Sequence, residues 1–144
     1  MTANETNTPP PVRRVLMVDD HTSLRELWGE MLRLQGYEAD VAADGREALD
    51  KIAAQTYDAV VCDLHMPRLN GRALFDECLR LHPQIAARFI FISGGWYADV
   101  DELCAGTGRP CLSKSFVWDQ LHEFLQAVFA ANEAADSSPA PPEG

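Results

Sequence analysis

Five polar residues stand at or directly after the ends of short apolar runs in this sequence, where a buried strand would end. They are Asp19, Asp20, Asp63, Ser93 and Lys114. Carboxylates that are brought close together repel one another unless a cation joins them. A hard divalent ion such as Mg²⁺ takes oxygen ligands of this kind. With an ammonium and a hydroxyl group beside the ion, such a site could surround a transferring phosphoryl group with positive charge and hydrogen-bond donors.

The segments that would carry these residues alternate between apolar runs and helical patterns. The apolar runs predict five strands, at residues 15–18, 37–42, 59–62, 89–92 and 111–113. Helical spacing predicts helices that start after Thr22 or Ser23 and after Asp44, and helices over 69–81, near 99–105 and over 117–131. Nearly continuous apolar strands are typical of a parallel sheet that is buried on both faces. In such a sheet the five polar residues would meet at the carboxyl edge.

The first predicted helix has an apolar stripe at helical spacing. The stripe consists of Leu24, Leu27, Trp28, Met31 and Leu34. We expect this stripe to face the core, with Thr22 or Ser23 as the N-cap and Gly36 closing the helix.

Composition and charge narrow the class of protein. The chain has 144 residues, of which 47% are hydrophobic, and a formal net charge of -10. A negative surface repels DNA and RNA, so direct nucleic-acid binding is not expected. No apolar stretch is long enough to cross a bilayer, so membrane insertion is not expected either. The polar, proline-containing ends predict disordered tails at 1–12 and 132–144, with the folded domain at 13–131.

The cysteines do not form a metal or disulfide pattern. The four are Cys62, Cys78, Cys104 and Cys111. None form a C-x-x-C pair, and Cys62 and Cys111 lie in apolar runs. This usage fits a reducing compartment, so we expect a cytoplasmic location.

The order and spacing of the polar residues resemble the response-regulator receiver family. The matching segments are Asp19-Asp20, Asp63-Leu64-His65-Met66-Pro67, Asn70-Gly71, Ser93-Gly94 and Lys114 before Phe116. The resemblance covers about residues 13 to 130. It implies a flavodoxin-like (βα)5 fold, a doubly wound parallel sheet of five strands in the order 2-1-3-4-5. It also implies a two-component phosphorelay, with a histidine kinase or a histidine phosphotransfer protein as the partner.

For the metal and the phosphoacceptor, the resemblance implies one role for each matching position. Asp63 would attack the phosphorus of a phosphohistidine and become an acyl phosphate. Mg²⁺ would be the cofactor, bound by Asp20, by Asp63 and by the backbone carbonyl of His65. Asp19 would act on the ion mainly through water.

Other matching positions would bind the phosphoryl group or tune its lifetime. Lys114 would pair with a phosphoryl oxygen, and Ser93 would hydrogen-bond the group and shift toward it. That shift would bias a surface formed by the helix near 99–105, the last strand and the last helix. His65 and Gly95 would flank the pocket, where the imidazole could tune dephosphorylation and the missing side chain would leave one side open.

Two positions depart from the family pattern. Ser115 replaces the proline that usually follows the strand-five lysine, so we expect the Lys114–Ser115 peptide to be trans, or cis and strained. Cys111 stands at the switch position, where the family usually has Tyr or Phe, and a thiol cannot swing a ring. We therefore expect a muted or differently routed change of the output surface. The segment 107–114 resembles receivers at the C-terminus of hybrid sensor kinases.

Two other functions compete with an active receiver. One is a receiver-like interaction module that is never phosphorylated, although the retention of all five polar residues argues against it. The other is a phosphatase of the haloacid dehalogenase type, which needs a D-x-D pattern that neither Asp19-Asp20-His21 nor Asp63-Leu64-His65 supplies. Because the donor phosphoramidate is already reactive, positioning and charge neutralisation would suffice, and we do not expect an enzyme in the usual sense.

Overall fold

A computed structural model of the chain describes residues 12–66, 69–94, 106–113 and 118–137. Its strands form one parallel sheet in the order β2-β1-β3-β4-β5, which confirms the expected flavodoxin-like topology. The strands are β1 (Arg14–Val18), β2 (Glu38–Ala42), β3 (Ala59–Asp63), β4 (Phe89–Ser93) and β5 (Cys111–Ser113). The helices of the described residues are α1 (Thr22–Leu34), α2 (Gly45–Ala54), α3 (Gly71–Leu81), the short α4 (Pro83–Ala86) and α5 (Trp118–Ser137). The helix predicted near 99–105 lies outside the described residues.

The central strands are buried on both faces, which is why they read as continuous apolar runs. Every residue of β3 and of β4 is buried. Because successive side chains alternate across a strand, two core clusters result. One contains Leu16, Val60 and Phe91 with Leu74 of α3, and the other contains Met17, Val61 and Ile90 with Leu121 and Leu125 of α5.

The register of the sheet aligns the strand ends that matter for the site. Val18 of β1 pairs with Cys62 of β3, so Asp19 and Asp63 follow at the same level. Ser93 of β4 pairs with Ser113 of β5. Parallel pairing therefore brings the ends of four strands to one carboxyl edge.

Helix α1 differs from its sequence prediction at its start and in its buried face. His21, rather than Thr22 or Ser23, is the N-cap, and its Nδ1 accepts from Leu24 N at 3.4 Å. Leu27 and Leu34 are 52% and 79% exposed, whereas Leu32 is fully buried. The predicted stripe is wrong for Leu27 and Leu34, whereas Trp28 packs against the core as expected. The sheet contacts the face of α1 that carries Gly29 and Leu32. The predicted end is confirmed, since Gly36 has a φ of 96°.

Helix α5 runs beyond its predicted end at residue 131 and reaches Ser137. Asn132 is buried, and its Nδ2 donates to the Asp58 carbonyl at 2.9 Å. Glu133 forms an ion pair with Arg13. The Ala-rich and polar composition suggested a tail, but these two contacts hold the segment against the start of the sheet. A disordered tail from 132 is therefore wrong for residues 132–137.

Among the helices of the described residues, none is both long enough and apolar enough to cross a lipid bilayer.

Candidate functional site

Three carboxylates meet at the carboxyl edge of the sheet. One oxygen from each of Asp19, Asp20 and Asp63 lies within 4.8 Å of the other two. Asp19 is 0% exposed and Asp63 is 1% exposed, while Asp20 faces solvent. We call these three residues the acidic site. The prediction that they converge is confirmed by this geometry.

Asp63 is the last residue of β3, and the loop after it holds the carboxylate. Its Oδ1 accepts a hydrogen bond from the His65 backbone N at 3.0 Å. The Leu64 N donates to the Ile92 carbonyl of β4 at 2.9 Å, which continues the sheet pairing past the strand end. Because the adjoining backbone is paired in this way, the Asp63 side chain has one defined direction toward the other acids.

Gly71 allows helix α3 to start directly against the acidic site. A Cβ at this position would lie 2.5 Å from the Asp63 carbonyl oxygen and 2.9 Å from Leu64 Cα. The Gly71 N donates to the Leu64 carbonyl at 3.1 Å, and Asn70 caps the helix by accepting from Ala73 N at 2.8 Å. The sequence showed Asn70-Gly71 as part of the family pattern, but it gave no sign of this backbone contact.

The β1–α1 loop holds Asp19 in a similar way. Its Oδ1 accepts from the His21 backbone N at 2.8 Å, and its backbone N donates to the Ala42 carbonyl of β2 at 3.1 Å. Asp19 therefore has a fixed place between β1, β2 and the start of α1.

Of the other predicted site residues, the structure describes three and leaves two outside the described residues. Ser93 is buried at the end of β4, beside β5. The side chain of His65 is exposed, and Cys111 is half-buried against the core cluster that contains Phe91. Lys114 and Gly95 lie outside the described residues, as does the Lys114–Ser115 peptide.

Cys62 adjoins the acidic site but is not suited to bind a metal there. Burial raises the pKa of this thiol well above its ordinary value, and the charges of Asp63 and Asp19 raise it further. A thiol binds metals as the thiolate. Cys62 therefore stays protonated and serves as a small core residue.

The chemistry of the acidic site fits a hard divalent cation. All three donors are carboxylates, which Mg²⁺ and Ca²⁺ prefer to nitrogen or sulfur ligands. Opposite ligands of an octahedral Mg²⁺ are about 4.2 Å apart, and the three oxygens already lie within 4.8 Å of one another. A cation here would relieve the repulsion between the three negative charges.

Comparison with known proteins agrees with this geometry. The family model for the response regulator receiver domain matches residues 15–126. The chain belongs to the response regulator receiver domain family. This family acts in two-component signalling, where the receiver accepts a phosphoryl group, and membership excludes the phosphatase alternative.

Curated relatives of the chain are longer proteins. The transcriptional regulatory protein ZraR of Escherichia coli is 29% identical over 123 residues, which is 85% of this chain and 28% of that protein. The response regulator MprA of Mycolicibacterium vanbaalenii is 52% identical over 58 residues, or 40% of this chain and 25% of that protein. The sensor protein EvgS of Escherichia coli is 39% identical over 69 residues, or 48% of this chain and 6% of that protein. The chain thus matches between 6% and 28% of the length of these relatives.

Solved receiver structures cover most of the chain. The response regulator TrrA of Thermotoga maritima, solved in complex with Mg(2+)-BeF, has a TM-score of 0.72 at 31% identity, covering 81% of this chain and 99% of that one. A CheY-like receiver domain from Methanospirillum hungatei has a TM-score of 0.78 at 23% identity, covering 87% of this chain and 99% of that one. The second likeness concerns the fold alone.

Proposed function

We propose that Asp63 is the phosphoacceptor of this receiver domain. The observation that carries the proposal is the acidic site, in which the buried carboxylate of Asp63 lies within 4.8 Å of oxygens from Asp19 and Asp20. Asp63 ends the central strand β3, where its neighbours fix its direction. Of the other two acids, Asp19 is buried and Asp20 is exposed to solvent.

The proposed step transfers a phosphoryl group from nitrogen to oxygen. A carboxylate oxygen of Asp63 attacks the phosphorus of a phosphohistidine, forming an O–P bond as the N–P bond breaks. The electron pair of the broken bond stays on the imidazole, which takes up a proton from water. The product on Asp63 is an acyl phosphate, and no oxidant or reductant is needed. Catalysis would rest on positioning and on charge neutralisation.

We propose that Mg²⁺ is the cofactor and that Asp20, Asp63 and the His65 carbonyl hold it, with Asp19 acting through water. When bound, the ion would neutralise the negative charge that gathers between the carboxylates and the phosphoryl oxygens. The solved TrrA complex with Mg(2+)-BeF supports this assignment by similarity. Ser93, buried at the neighbouring strand end, would donate a hydrogen bond to the phosphoryl group, and Lys114 would pair with one of its oxygens.

We propose a histidine kinase or a histidine phosphotransfer protein as the donor. The relatives include both a transcriptional regulator and a sensor protein, so they support either a free regulator or a part of a hybrid kinase. The domain would act as a phosphoacceptor that changes an interaction surface, and we propose no separate substrate for it. The reducing cytoplasm remains the proposed location.

Incubation with acetyl phosphate and Mg²⁺ tests the proposal directly. We expect the intact protein to gain the mass of one phosphoryl group, and we expect Asp63→Asn to gain none. Chelation of Mg²⁺ should prevent the gain in the unmodified protein. No gain, or a gain that persists in Asp63→Asn, would favour a receiver-like interaction module that is never phosphorylated.

Two further positions should tune the response. His65 is exposed and lies two positions after Asp63, so His65→Ala should change the lifetime of the acyl phosphate without changing the site of phosphorylation.

Cys111 is half-buried and carries no ring, so we expect only small amide shifts around Cys111 and α5 when beryllofluoride is added. Large shifts there would contradict a muted switch.

A further inference from the structure

Arg25 of α1 reaches back to the strand end that carries the acidic site. Its Nη1 donates to the backbone carbonyl of Asp19 at 2.9 Å, and the guanidinium is half-buried. Its own backbone N donates to the His21 carbonyl at 2.9 Å, which places Arg25 in the first turn of the helix. One side chain therefore ties the start of α1 to the end of β1.

The bond completes the fixation of Asp19. The Asp19 backbone N is held by β2 through Ala42, and its Oδ1 is held by the His21 N. The remaining backbone group, the carbonyl, is held by Arg25. A guanidinium donor makes a stronger bond to a carbonyl than a neutral donor does. The three bonds together fix both the position of the loop and the direction of the carboxylate.

The position of this loop matters because it carries two of the three acids. Asp19 and Asp20 are adjacent in the loop, and Asp63 comes from another strand. A loop shift of a fraction of an ångström would separate these oxygens, and Mg²⁺ tolerates poor geometry less well than larger cations do. Groups that orient metal ligands typically change metal affinity by about 10–100-fold when they are removed.

We propose that Arg25 is a positioning residue for the metal-binding carboxylates, holding the loop 19–21 in the geometry that binds Mg²⁺. The inference rests on the proposed function, since it concerns the same site. It assigns to Arg25 no contact with the phosphoryl group. Its effect on phosphorylation passes through the Asp19 carbonyl.

Arg33 supplies a matched control on the same helix. Its Nη2 donates to the Ala39 carbonyl of β2 at 2.8 Å, so it makes the same kind of bond away from the acidic site. Arg25→Met and Arg33→Met each remove one guanidinium, one positive charge and one bond to a backbone carbonyl, and Arg33→Met also removes the exposed ion pair with Glu30. A difference between them in Mg²⁺ binding therefore reports on where the bond is made.

The experiment titrates Mg²⁺ into the unphosphorylated full chain and follows amide shifts by NMR. We expect Arg25→Met to raise the Mg²⁺ dissociation constant about tenfold. Arg33→Met should leave it within about twofold, and Arg25→Lys should recover part of the loss because it restores a cationic donor. Hydrogen exchange of the His21 amide, measured without metal, should quicken in Arg25→Met and stay unchanged in Arg33→Met.

The possible failures are distinguishable. If the unmodified protein binds Mg²⁺ and Arg25→Met binds it equally or more tightly, the positioning role is overturned while the proposed function stands. Equal weakening in Arg33→Met would also overturn it, because the effect would then be general loss of stability. If the unmodified protein binds no Mg²⁺, both proposals fail. Should Arg25→Met not fold, Arg25→Gln, which keeps a neutral donor, allows the same comparison.

Discussion

Aspartates in two regions of the sheet have different surroundings. At the carboxyl edge, Asp19, Asp20 and Asp63 lie beside one another within 4.8 Å. Asp40, in the middle of β2, accepts from Tyr57 OH at 2.7 Å and Gln55 Nε2 at 2.8 Å, and both donors come from the segment that leads into β3. Asp40 therefore has side-chain donors beside it, whereas each carboxylate at the carboxyl edge has two other carboxylates beside it.

The amino edge carries a network of hydrogen bonds and ion pairs. We define the amino-edge network as Arg14, Asp40, Gln55, Tyr57 and Asp58. Arg14 contacts Asp40 through Nη1 at 3.4 Å, and its backbone N donates to Asp58 Oδ2 at 2.8 Å. The comparison teaches that an aspartate in the sheet is structural when donors satisfy it. It becomes a candidate ligand when other acids crowd it, since folding then leaves a repulsion that a cation can relieve.

The largest expected effect is at the carboxyl edge, where Gly71→Ala sets a Cβ against the Asp63 carbonyl. We expect a loss of about 3 kcal/mol in the free energy of unfolding, because backbone atoms on both sides must shift. The Mg²⁺ dissociation constant should rise as well. Gly36→Ala is the control, since its positive φ strains the backbone but its Cβ would meet nothing within 4 Å. It should cost about 1 kcal/mol and leave Mg²⁺ binding unchanged.

The next largest effect concerns the C-terminal boundary of the folded domain, where the end of α5 contacts the amino edge of the sheet. A chain ending at residue 131 loses the bond from Asn132 to the Asp58 carbonyl and the ion pair of Glu133 with Arg13. We expect chemical denaturation to show a loss of about 2 kcal/mol, because Asp58 and Arg13 are left without these contacts. A chain ending at residue 137 keeps both and should match the full chain. Equal stability of all three would restore the boundary at 131.

A smaller loss is expected when the amino-edge network loses its central charge. Asp40→Asn keeps the shape of the side chain but weakens the bonds from Tyr57, Gln55 and Arg14. We expect a loss of about 1–2 kcal/mol in urea unfolding, with phosphorylation of Asp63 unchanged. A neutral or stabilising result would remove the contrast between the two edges.

Tyr57 makes the amino-edge network sensitive to high pH. Burial raises the pKa of Tyr57 to about 12 from its ordinary 10.0, and the hydrogen bond to Asp40 adds to the rise. The folded state thus holds the Tyr57 proton more tightly than the unfolded state does. The stability that the protonated Tyr57 contributes is therefore fully present below pH 10 and is lost as the pH rises from about 10 toward 12. Tyr57→Phe should cost about 1 kcal/mol at neutral pH and show less of the alkaline decline. Parallel declines in urea titrations of both proteins would contradict this.

The smallest expected effect is a gain in stability, whereas the changes above are losses. Asp20→Asn removes one of three crowded charges, so the melting temperature without Mg²⁺ should rise slightly. Added Mg²⁺ should then stabilise the variant less than the unmodified protein, because a proposed metal ligand has been lost. A fall in the melting temperature without metal would mean that Asp20 is stabilised by its surroundings, like Asp40.

Most of the fold was predictable because strands buried on both faces must be apolar along their length. The pattern located all five strands to within one residue at either end, and it located Asp44 as a cap, which accepts from Glu47 N at 2.8 Å. It failed for Leu27 and Leu34 of α1, because the position of the sheet decides which side of an apolar helix is buried. It also failed for residues 132–137, where composition alone suggested a tail.

The sequence by itself determined which chemical groups stand at the strand ends, because their types and order are written in the chain. Asp19, Asp20, Asp63 and Ser93 could be named before any coordinates. Only the tertiary structure decided how close these groups come and what holds them there. The contact of Gly71 with the Asp63 carbonyl and the bond from Arg25 to the Asp19 carbonyl join segments through backbone atoms. Backbone atoms are the same in every residue, so contacts made to them leave little trace in the sequence.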